Sequence, residues 1–350
     1  MRELHISKQD IRTTEFVEVT PAQLAPGAAR LKLDLFALTS NNVTYAAMGA
    51  GVLGYWDFFP APEGFGKVPV WGFATVTASN APDVAVGARY YGYYPLAETL
   101  EVTPRKTATG FIDTAPHRAA KAALYNVYTD TTADPAYDAN FEPEQTLFRP
   151  LYGTGWWAAD FIKQGESKTV VLSSASSKTA LATAHQLRNL GGAELVGLTS
   201  QSNEAYVREC GLYDRVVRYE DAAALQAEAP ATYVDFLGRA ELNSAVHTAL
   251  GAALTRSIII GVTDWASPRS GAPLPGPKPE FFFVPTYAAE RLKAEPHLLS
   301  AMGRDLRAFY PASRAFVTAV RIQGADAIQA AWARLAAGDV PPRDGLVLSF

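Results

Sequence analysis

The stretch "TVVLSSASSKTALATAHQLRNLG", residues 169–191, decides the fold of this chain. It begins with an apolar run typical of a buried strand, turns through small polar residues, and continues as an Ala-rich helix that Gly191 and Gly192 end. Four further apolar stretches alternate with helical ones after it: "AELVGLTS", "RVVRY", "ATYVDFLG" and "RSIIIGVT". This alternation predicts βαβ units around a doubly wound parallel sheet, which is an α/β fold.

The residues before about 125 have a different composition and hydrophobic pattern. Stretches such as "VPVWGFATVTASN" are rich in β-branched and aromatic residues and predict short antiparallel strands. In "RYYGYYP", strand alternation sends Tyr91 and Tyr93 to one face and Tyr90 and Tyr94 to the other. We therefore expect a β-rich domain formed by residues 1–125 and 300–350, a parallel-sheet domain at 148–299, and an irregular insertion at 126–147.

Composition excludes several classes of function. The 350 residues are 48% hydrophobic and 19% charged, as in a globular protein with a large core. A net charge of -4 without basic runs argues against nucleic acid as a partner, and no apolar window is long enough to span a membrane. We expect a cytoplasmic protein. The single cysteine, Cys210, excludes a disulfide framework, and the scattered histidines predict no bound metal.

The turn after the first parallel strand lacks the glycines of a G-x-G-x-x-G dinucleotide fingerprint. Alanine and serine can still let a pyrophosphate approach, and the start of a helix offers N–H groups and the positive end of its dipole. The candidate phosphate-binding residues are Ala175, Ser176, Ser177, Lys178 and Thr179. The alternative is an ordinary strand and helix without a ligand.

No acidic residue follows the second parallel strand, where an NAD-binding chain usually has one for the ribose hydroxyls. Ser200 and Asn203 stand there instead, and such small polar groups can donate to a 2′-phosphate. The sequence therefore favours NADP(H) over NAD(H), with Lys178 as a counter-charge. The alternative role for Ser200 and Asn203 is to cap the helix "EAYVREC", and the two roles are compatible.

Several motifs together resemble the medium-chain dehydrogenase/reductase superfamily, in particular its zinc-free branch of quinone oxidoreductases and enoyl reductases. They are "RLKLDLFALTSNNVTYAAMG", "VAVGARYYGYYP", "CGLYDRVVRYED", "YVDFLGRAELNSAV" and the closing "GDVPPRDGLVLSF". The string "NNVTYA" also resembles a bacterial subfamily of unknown function. The resemblance implies a GroES-like β-rich domain completed by the C-terminus, a Rossmann domain, and a homodimer paired through the edge of the Rossmann domain, for which "RSIIIGVT" is the candidate strand.

The resemblance also assigns candidate catalytic residues. Trp71 stands where the zinc-binding members have a histidine, so we expect no zinc and hydride transfer without metal assistance. Tyr55 is the nearest match to the proton-donating tyrosine of the zinc-free enoyl reductases, and Asn42, Thr44 and Tyr45 are further candidate donors. Hydrophobic packing is the alternative role for both tyrosines.

Residues at the ends of later parallel strands are candidates for contact with the nicotinamide. These are Phe236, Gly238, Gly261, Val262 and Thr263. The sequence thus predicts an NADPH-dependent reductase of an activated C=C or C=O bond in a small molecule, such as an enone, a quinone or an enoyl compound. A non-catalytic binding protein with this fold, and a lyase or isomerase using the same cleft, remain as alternatives.

Overall fold

The structure is a computed structural model that describes residues 1–51, 54–260 and 273–350. Its strands are β1 (Arg2–Ser7), β2 (Thr14–Glu18), β3 (Ala29–Leu38), β4 (Phe65–Gly66), β5 (Pro69–Ser79), β6 (Arg89–Pro95), β7 (Thr99–Val102), β8 (Pro104–Thr107), β9 (Gly110–Asp113), β10 (Val127–Asp130), β11 (Thr169–Leu172), β12 (Glu194–Thr199), β13 (Arg215–Arg218), β14 (Ala231–Asp235), β15 (Leu254–Ile259), β16 (Glu280–Phe281), β17 (Thr318–Gln323) and β18 (Asp344–Ser349). Its α-helices are α1 (Ser40–Ala47), α2 (Glu142–Lys163), α3 (Lys178–Leu190), α4 (Glu204–Glu209), α5 (Ala240–Leu250), α6 (Val284–Ala294), α7 (Leu298–Ser313) and α8 (Ala325–Ala336).

The chain divides into two compact units, residues 1–147 with 318–350, and residues 148–317. This division differs from the expected one in two places. Residues 300–317 lie in the second unit, because Phe309 of α7 packs on Tyr152 and Phe148 with ring centroids 4.5 and 5.0 Å apart. Residues 126–147 are not irregular throughout: β10 pairs with β6 and β9 and buries Tyr128, and α2 begins at Glu142.

The first unit is built on antiparallel strands. Its larger sheet has the order β17-β18-β3-β5-β6-β10-β9-β8, with β7 added to β3, and β2-β1-β4 form a small second sheet. The C-terminal strand β18 pairs with β3, as the sequence predicted for the closing segment. Helix α8 contributes Trp332, which is fully buried and donates from its Nε1 to the Ile11 carbonyl at 2.8 Å.

The second unit contains a six-stranded parallel sheet in the order β13-β12-β11-β14-β15-β16. The doubly wound prediction is confirmed, because β12 and β13 lie on one side of β11 and the later strands lie on the other. The prediction that "RSIIIGVT" extends the sheet across a dimer axis is wrong. Residues 256–259 of this stretch lie in β15, which is paired on both sides with β14 and β16, and the apolar run in β15 reflects burial inside the sheet.

Within the described residues, none of the helices combines the length and the apolar character that crossing a lipid bilayer requires.

Candidate functional site

The turn between β11 and α3 lies where the connections of the parallel sheet reverse direction, which is the usual ligand crevice of such sheets. Ser174 has a φ of 49°, and among the described residues it is the one non-glycine residue with a positive φ. A left-handed backbone of this kind is what glycine normally provides in a tight turn. The chain thus makes the turn with serine. Ser177 then begins the helix, and its hydroxyl accepts from the Ala180 N–H at 3.3 Å.

Ala175 is fully buried in the turn, and the space that it needs comes from the neighbouring strand. A Cβ added to Gly197 of β12 would lie 2.9 Å from the Ala175 Cβ and 2.9 Å from the Tyr213 ring. The Ala175 side chain therefore points into the protein. Its methyl group does not occupy the outer side of the turn, where Ser176, Ser177 and Lys178 are partly exposed, so these residues fit a dinucleotide. Gly197 was missed in the sequence because it follows the turn by more than twenty residues.

The predicted residues at the tip of β12 come together with the turn. The Asn203 amide donates to the Ser176 hydroxyl at 3.2 Å, which joins the start of α4 to the start of α3. The hydroxyl of Ser200, which is partly exposed, lies 2.9 Å from that of Ser202. Neither Ser200 nor Asn203 forms a capping hydrogen bond through its side chain, although each occupies an N-cap position. Their polar groups are therefore not used for capping.

Two arginines near the tip of β12 were missed in the sequence. Arg218 ends β13 directly opposite Thr199 of β12, and its Nε lies 2.5 Å from a Glu204 oxygen. Arg208 contacts the other oxygen of Glu204 at 2.8 Å. Hydrogen bonds from both guanidinium groups lower the pKa of Glu204, so this carboxylate stays charged and is neutralised by its neighbours. Asp221 and Glu220 also act on the Arg218 guanidinium, so both charge signs lie near the tip of β12.

Tyr219 follows Arg218 and lies over the same turn. Burial raises the pKa of Tyr219 to about 12, although Arg239 and polar contacts with Ser174 oppose the rise. The Arg239 guanidinium lies 5.6 Å from the centre of the Tyr219 ring. An aromatic ring and a stacked guanidinium are surfaces on which a planar base can pack.

Phe236 and Gly238 lie at the end of β14 in a buried hydrogen-bond network around Asp235. The Asp235 carboxylate accepts from the Ser173 hydroxyl at 2.8 Å, from the Gly238 N–H at 3.0 Å and from the Asn243 amide at 2.8 Å. The Phe236 N–H donates to the Ser173 oxygen at 2.8 Å. These bonds fix the ends of β11 and β14 relative to each other. Gly261, Val262 and Thr263 lie outside the described residues.

In the first unit, the predicted catalytic tyrosines lie in an aromatic cluster, which we define as Tyr45, Tyr55, Phe58, Phe59, Trp71, Tyr93 and Tyr125. The rings of Tyr45 and Tyr55 are 4.4 Å apart, and Tyr93 lies 4.8 Å from both Trp71 and Tyr125. Tyr45 and Tyr93 are buried, whereas Tyr55, Trp71 and Tyr125 are partly exposed. The partly exposed rings of Tyr55, Trp71 and Tyr125 form the surface of the cluster.

Burial raises the pKa of Tyr55 and Tyr45 above the ordinary value of a phenol, and the neighbouring Tyr125 adds to both shifts. Both side chains are therefore neutral and protonated at neutral pH. A neutral phenol can donate a proton to a substrate that gains negative charge. Of the two, Tyr55 is the partly exposed one.

The other predicted donors of this region make structural bonds. The Asn42 side chain accepts from the Thr39 N–H at 2.7 Å and donates to the Pro69 carbonyl at 2.9 Å, which ties the start of α1 to β5. The Thr44 hydroxyl donates to the Ser40 carbonyl within α1 at 3.3 Å. These bonds hold the helix that carries Tyr45.

Trp71 lies opposite Tyr93 in the β5–β6 pair. The predicted alternation in β6 is confirmed: Tyr91 and Tyr93 contact Trp71, whereas Tyr90 and Tyr94 pack on Phe111 and Tyr128 respectively. Across the parts of the chain that the structure describes, no group of three or more His, Cys, Asp or Glu side chains could hold a metal ion.

The comparisons with known proteins agree with this architecture. A family model described as "Protein of unknown function (DUF2855)" matches residues 36–341. No curated protein sequence matches the chain.

Several solved structures have the same fold. One is CurA from Vibrio vulnificus in complex with NADPH, at 12% identity and a TM-score of 0.62. The superposition covers 100% of this chain and 99% of CurA. Another is the yhdH oxidoreductase from Salmonella enterica in complex with NADP, at 15% identity and a TM-score of 0.58, with 100% of each chain covered. A third is CurK enoyl reductase, at 12% identity and a TM-score of 0.56, with 99% and 98% covered. The chain thus shares its fold with these oxidoreductase and enoyl reductase structures, which agrees with the fold that the resemblance predicted.

Proposed function

The chain belongs to the family described as "Protein of unknown function (DUF2855)", and we propose that it is an NADPH-dependent reductase of an activated C=C or C=O bond. The observation that carries this proposal is the β11–α3 turn, where Ser174 adopts the left-handed backbone and Gly197 makes room for Ala175. Together they form the turn of a dinucleotide site from residues other than its usual glycines. Structures of the same fold that hold NADPH or NADP support the choice of coenzyme.

Residues of the second unit would hold the coenzyme. Ser176, Ser177, Lys178 and Thr179 would bind its pyrophosphate at the start of α3, through backbone N–H groups, hydroxyl groups and the lysine ammonium. Ser200, Asn203 and Arg218 would bind the 2′-phosphate. Because Arg208 and Arg218 neutralise Glu204, that carboxylate does not repel the phosphate. When bound, NADPH supplies the hydride for the reduction.

Residues of the first unit supply the proton. We propose that Tyr55 donates its phenolic proton to the substrate atom that becomes negatively charged when the bond is reduced. The Tyr45 ring packs against the Tyr55 ring, with ring centroids 4.4 Å apart. Asn42 fixes α1, the helix that carries Tyr45, through its bond to the Pro69 carbonyl. Since the resemblance places Trp71 where zinc-binding members have a histidine, the proposed reaction uses no zinc. The partly exposed aromatic rings favour a planar conjugated substrate, such as an enone, a quinone or an enoyl compound.

Coenzyme binding is tested by thermal shift and calorimetry with NADPH and NADH. We expect NADPH to raise the melting temperature more than NADH does, because a ligand that binds the folded state stabilises it. Lys178→Met should weaken NADPH binding roughly tenfold, the value of one charge-assisted hydrogen bond. The matched control is Lys168→Met. Lys168 directly precedes the first residue of β11, at the end of the strand away from the turn, and pairs with the exposed Glu228 at 2.5 Å. A protein that binds neither coenzyme contradicts the proposal.

Turnover is tested by following NADPH oxidation with a panel of enones, quinones and enoyl thioesters, before and after treatment with a chelator. Tyr55→Phe should lower kcat by roughly 10² to 10⁴ and leave the Kd of NADPH unchanged. Binding without NADPH oxidation across the panel would favour a non-catalytic protein. Substrate conversion without NADPH oxidation would favour a lyase or an isomerase. Loss of activity with the chelator would contradict the metal-free mechanism.

We also propose that the protein forms a homodimer through β16, which ends the parallel sheet. Phe281 of this strand is 73% exposed and stacks on Phe283 with ring centroids 6.4 Å apart. Sedimentation velocity of the chain and of Phe281→Asp tests this, because a charge on the paired edge should shift the dimer to monomer. A monomeric unmodified chain would contradict the proposal.

A further inference from the structure

The turn that carries Tyr55 is held by an ammonium group from a distant part of the same unit. The Nζ of Lys121 donates to the Gly54 carbonyl at 3.0 Å and lies 2.8 Å from the Asp57 carboxylate. Gly54 precedes the 3-10 turn Tyr55–Asp57, and Asp57 ends it. Lys121 therefore bridges the two ends of a turn whose first residue is Tyr55.

The approach of Lys121 to this turn is close. Gly54 has a φ of 54°, and a Cβ at this position would lie 2.5 Å from the Lys121 Nζ and 2.5 Å from an Asp57 oxygen. The ammonium also lies 5.4 Å from the centre of the Phe58 ring. The Lys121 side chain is only 18% exposed, so that water competes weakly for its part-buried bond to the Gly54 carbonyl, whereas the Asp57 carboxylate is 65% exposed.

The segment that carries Lys121 is itself fixed by the buried side chain of Arg118. Arg118 is buried with its carboxylate partner Asp113 at 3.1 Å, donates to the Tyr128 hydroxyl at 2.9 Å, and donates to the Tyr125 carbonyl. A buried ion pair of this kind adds little net stability, because desolvation offsets the attraction, although its directed bonds fix geometry. The same segment places the Tyr125 ring 6.5 Å from the Tyr55 ring, in a perpendicular orientation.

We propose that Lys121 is a positioning residue that keeps the Tyr55 phenol where it donates its proton, by bridging Gly54 and Asp57. This inference rests on the proposed role of Tyr55. Lys121 does not itself contact the reacting atoms. It limits the rotation of the turn, and a misplacement of about 1 Å at a reacting group costs on the order of 10²-fold in rate.

The test compares Lys121→Met, which keeps most of the length of the side chain and removes the ammonium, with Lys121→Arg, which keeps two or more donors. Lys121→Met should lower kcat by roughly 10- to 100-fold, with little change in the substrate KM and none in the Kd of NADPH. Lys121→Arg should recover most of the loss. Lys106→Met is the matched control, because Lys106 pairs with Asp83 on an exposed surface of the same unit.

A second measurement uses the protein without any coenzyme. The near-ultraviolet circular dichroism of the aromatic cluster depends on the fixed geometry of its rings, and the Tyr45 and Tyr55 rings are 4.4 Å apart. We expect Lys121→Met to weaken this signal and Lys121→Arg to preserve it, while the far-ultraviolet spectrum stays unchanged. Asp57→Asn provides a milder variant if Lys121→Met does not fold, and it should reduce kcat in the same direction.

The outcomes separate the two proposals. If Tyr55→Phe leaves turnover intact, the proposed donor is wrong and the role of Lys121 fails with it. If Tyr55→Phe lowers turnover and Lys121→Met does not, the positioning role alone is overturned. A Lys121→Met variant that loses NADPH affinity and thermal stability together, without rescue by arginine, would also overturn it in favour of a purely structural role.

Discussion

Replacing Gly197 of β12 with alanine tests the claim that this residue takes over the spatial role of a fingerprint glycine. The added Cβ would lie 2.9 Å from both the Ala175 Cβ and the Tyr213 ring, a separation that real Cβ atoms essentially never show. Overpacking of this kind costs about 1 to 3 kcal/mol. Replacing glycine with alanine also lowers the entropy of the unfolded chain, which stabilises the folded protein by about 0.4 to 1 kcal/mol. We therefore expect Gly197→Ala to destabilise the protein by roughly 1 to 2 kcal/mol.

A double-mutant cycle with Ala175→Gly identifies the cause. Removing the Ala175 methyl group opens the space that the new Cβ needs, so the double variant should be more stable than the sum of the single effects predicts. The expected coupling is about 0.5 to 1.5 kcal/mol. Recovery should be partial, because the contact with Tyr213 remains. The assay is urea unfolding followed by far-ultraviolet circular dichroism, with NADPH affinity measured on each variant.

Gly153→Ala is the control for a glycine with free space. Gly153 lies inside α2, and a Cβ there would meet nothing within 4 Å. Alanine at this position should stabilise the protein by up to about 1 kcal/mol. Additive effects of Gly197→Ala and Ala175→Gly, or a Gly197→Ala variant as stable as the unmodified chain, would refute the reasoning.

Three further predictions concern charge and burial. Burial raises the pKa of Tyr93 and Tyr94 well above 10, so the stability that depends on their protonation is complete below about pH 10 and declines above it. Urea unfolding should show a loss on the order of 1 kcal/mol per tyrosine by pH 11. Arg118→Met leaves a buried carboxylate without its partner and should destabilise the protein by about 3 to 5 kcal/mol, seen as a lower Tm. Glu204→Gln releases Arg218 and should strengthen NADPH binding more than NADH binding in titrations at low salt, with the gain shrinking at high salt.

The fold could be predicted from the sequence because hydrophobic periodicity is local. The run from β11 through α3 shows its strand and helix directly, and the alternation in β6 correctly separates Tyr91 and Tyr93 from Tyr90 and Tyr94. The position of "RSIIIGVT" could not be predicted in the same way, because an apolar run marks a buried strand but not its neighbours in the sheet. The short edge strand β16 has no periodicity of its own.

The candidate site was predictable only where it lies in one segment. The β11–α3 turn and Tyr55 follow from local motifs. Gly197 contributes by making room for Ala175, which lies on the neighbouring strand connection. Arg218 reaches the site because the strand register places it opposite Thr199. Lys121 contributes through a hydrogen bond to Gly54, which is 67 residues away in the chain. Such contributions depend on which segments the sheet brings together, and no local pattern carries that information.

The shared carboxylate of Glu204 has a consequence for anyone who wishes to change the coenzyme preference of this protein. The usual exchange introduces an acid at the tip of the second strand, here Ser200→Asp, so that it captures the adenosine ribose. Beside the Arg218 guanidinium, however, a new carboxylate would form an ion pair in place of the intended hydrogen bonds. Conversion to NADH use should therefore require the simultaneous loss of Arg218, and an acid alone would yield a protein that binds both coenzymes poorly.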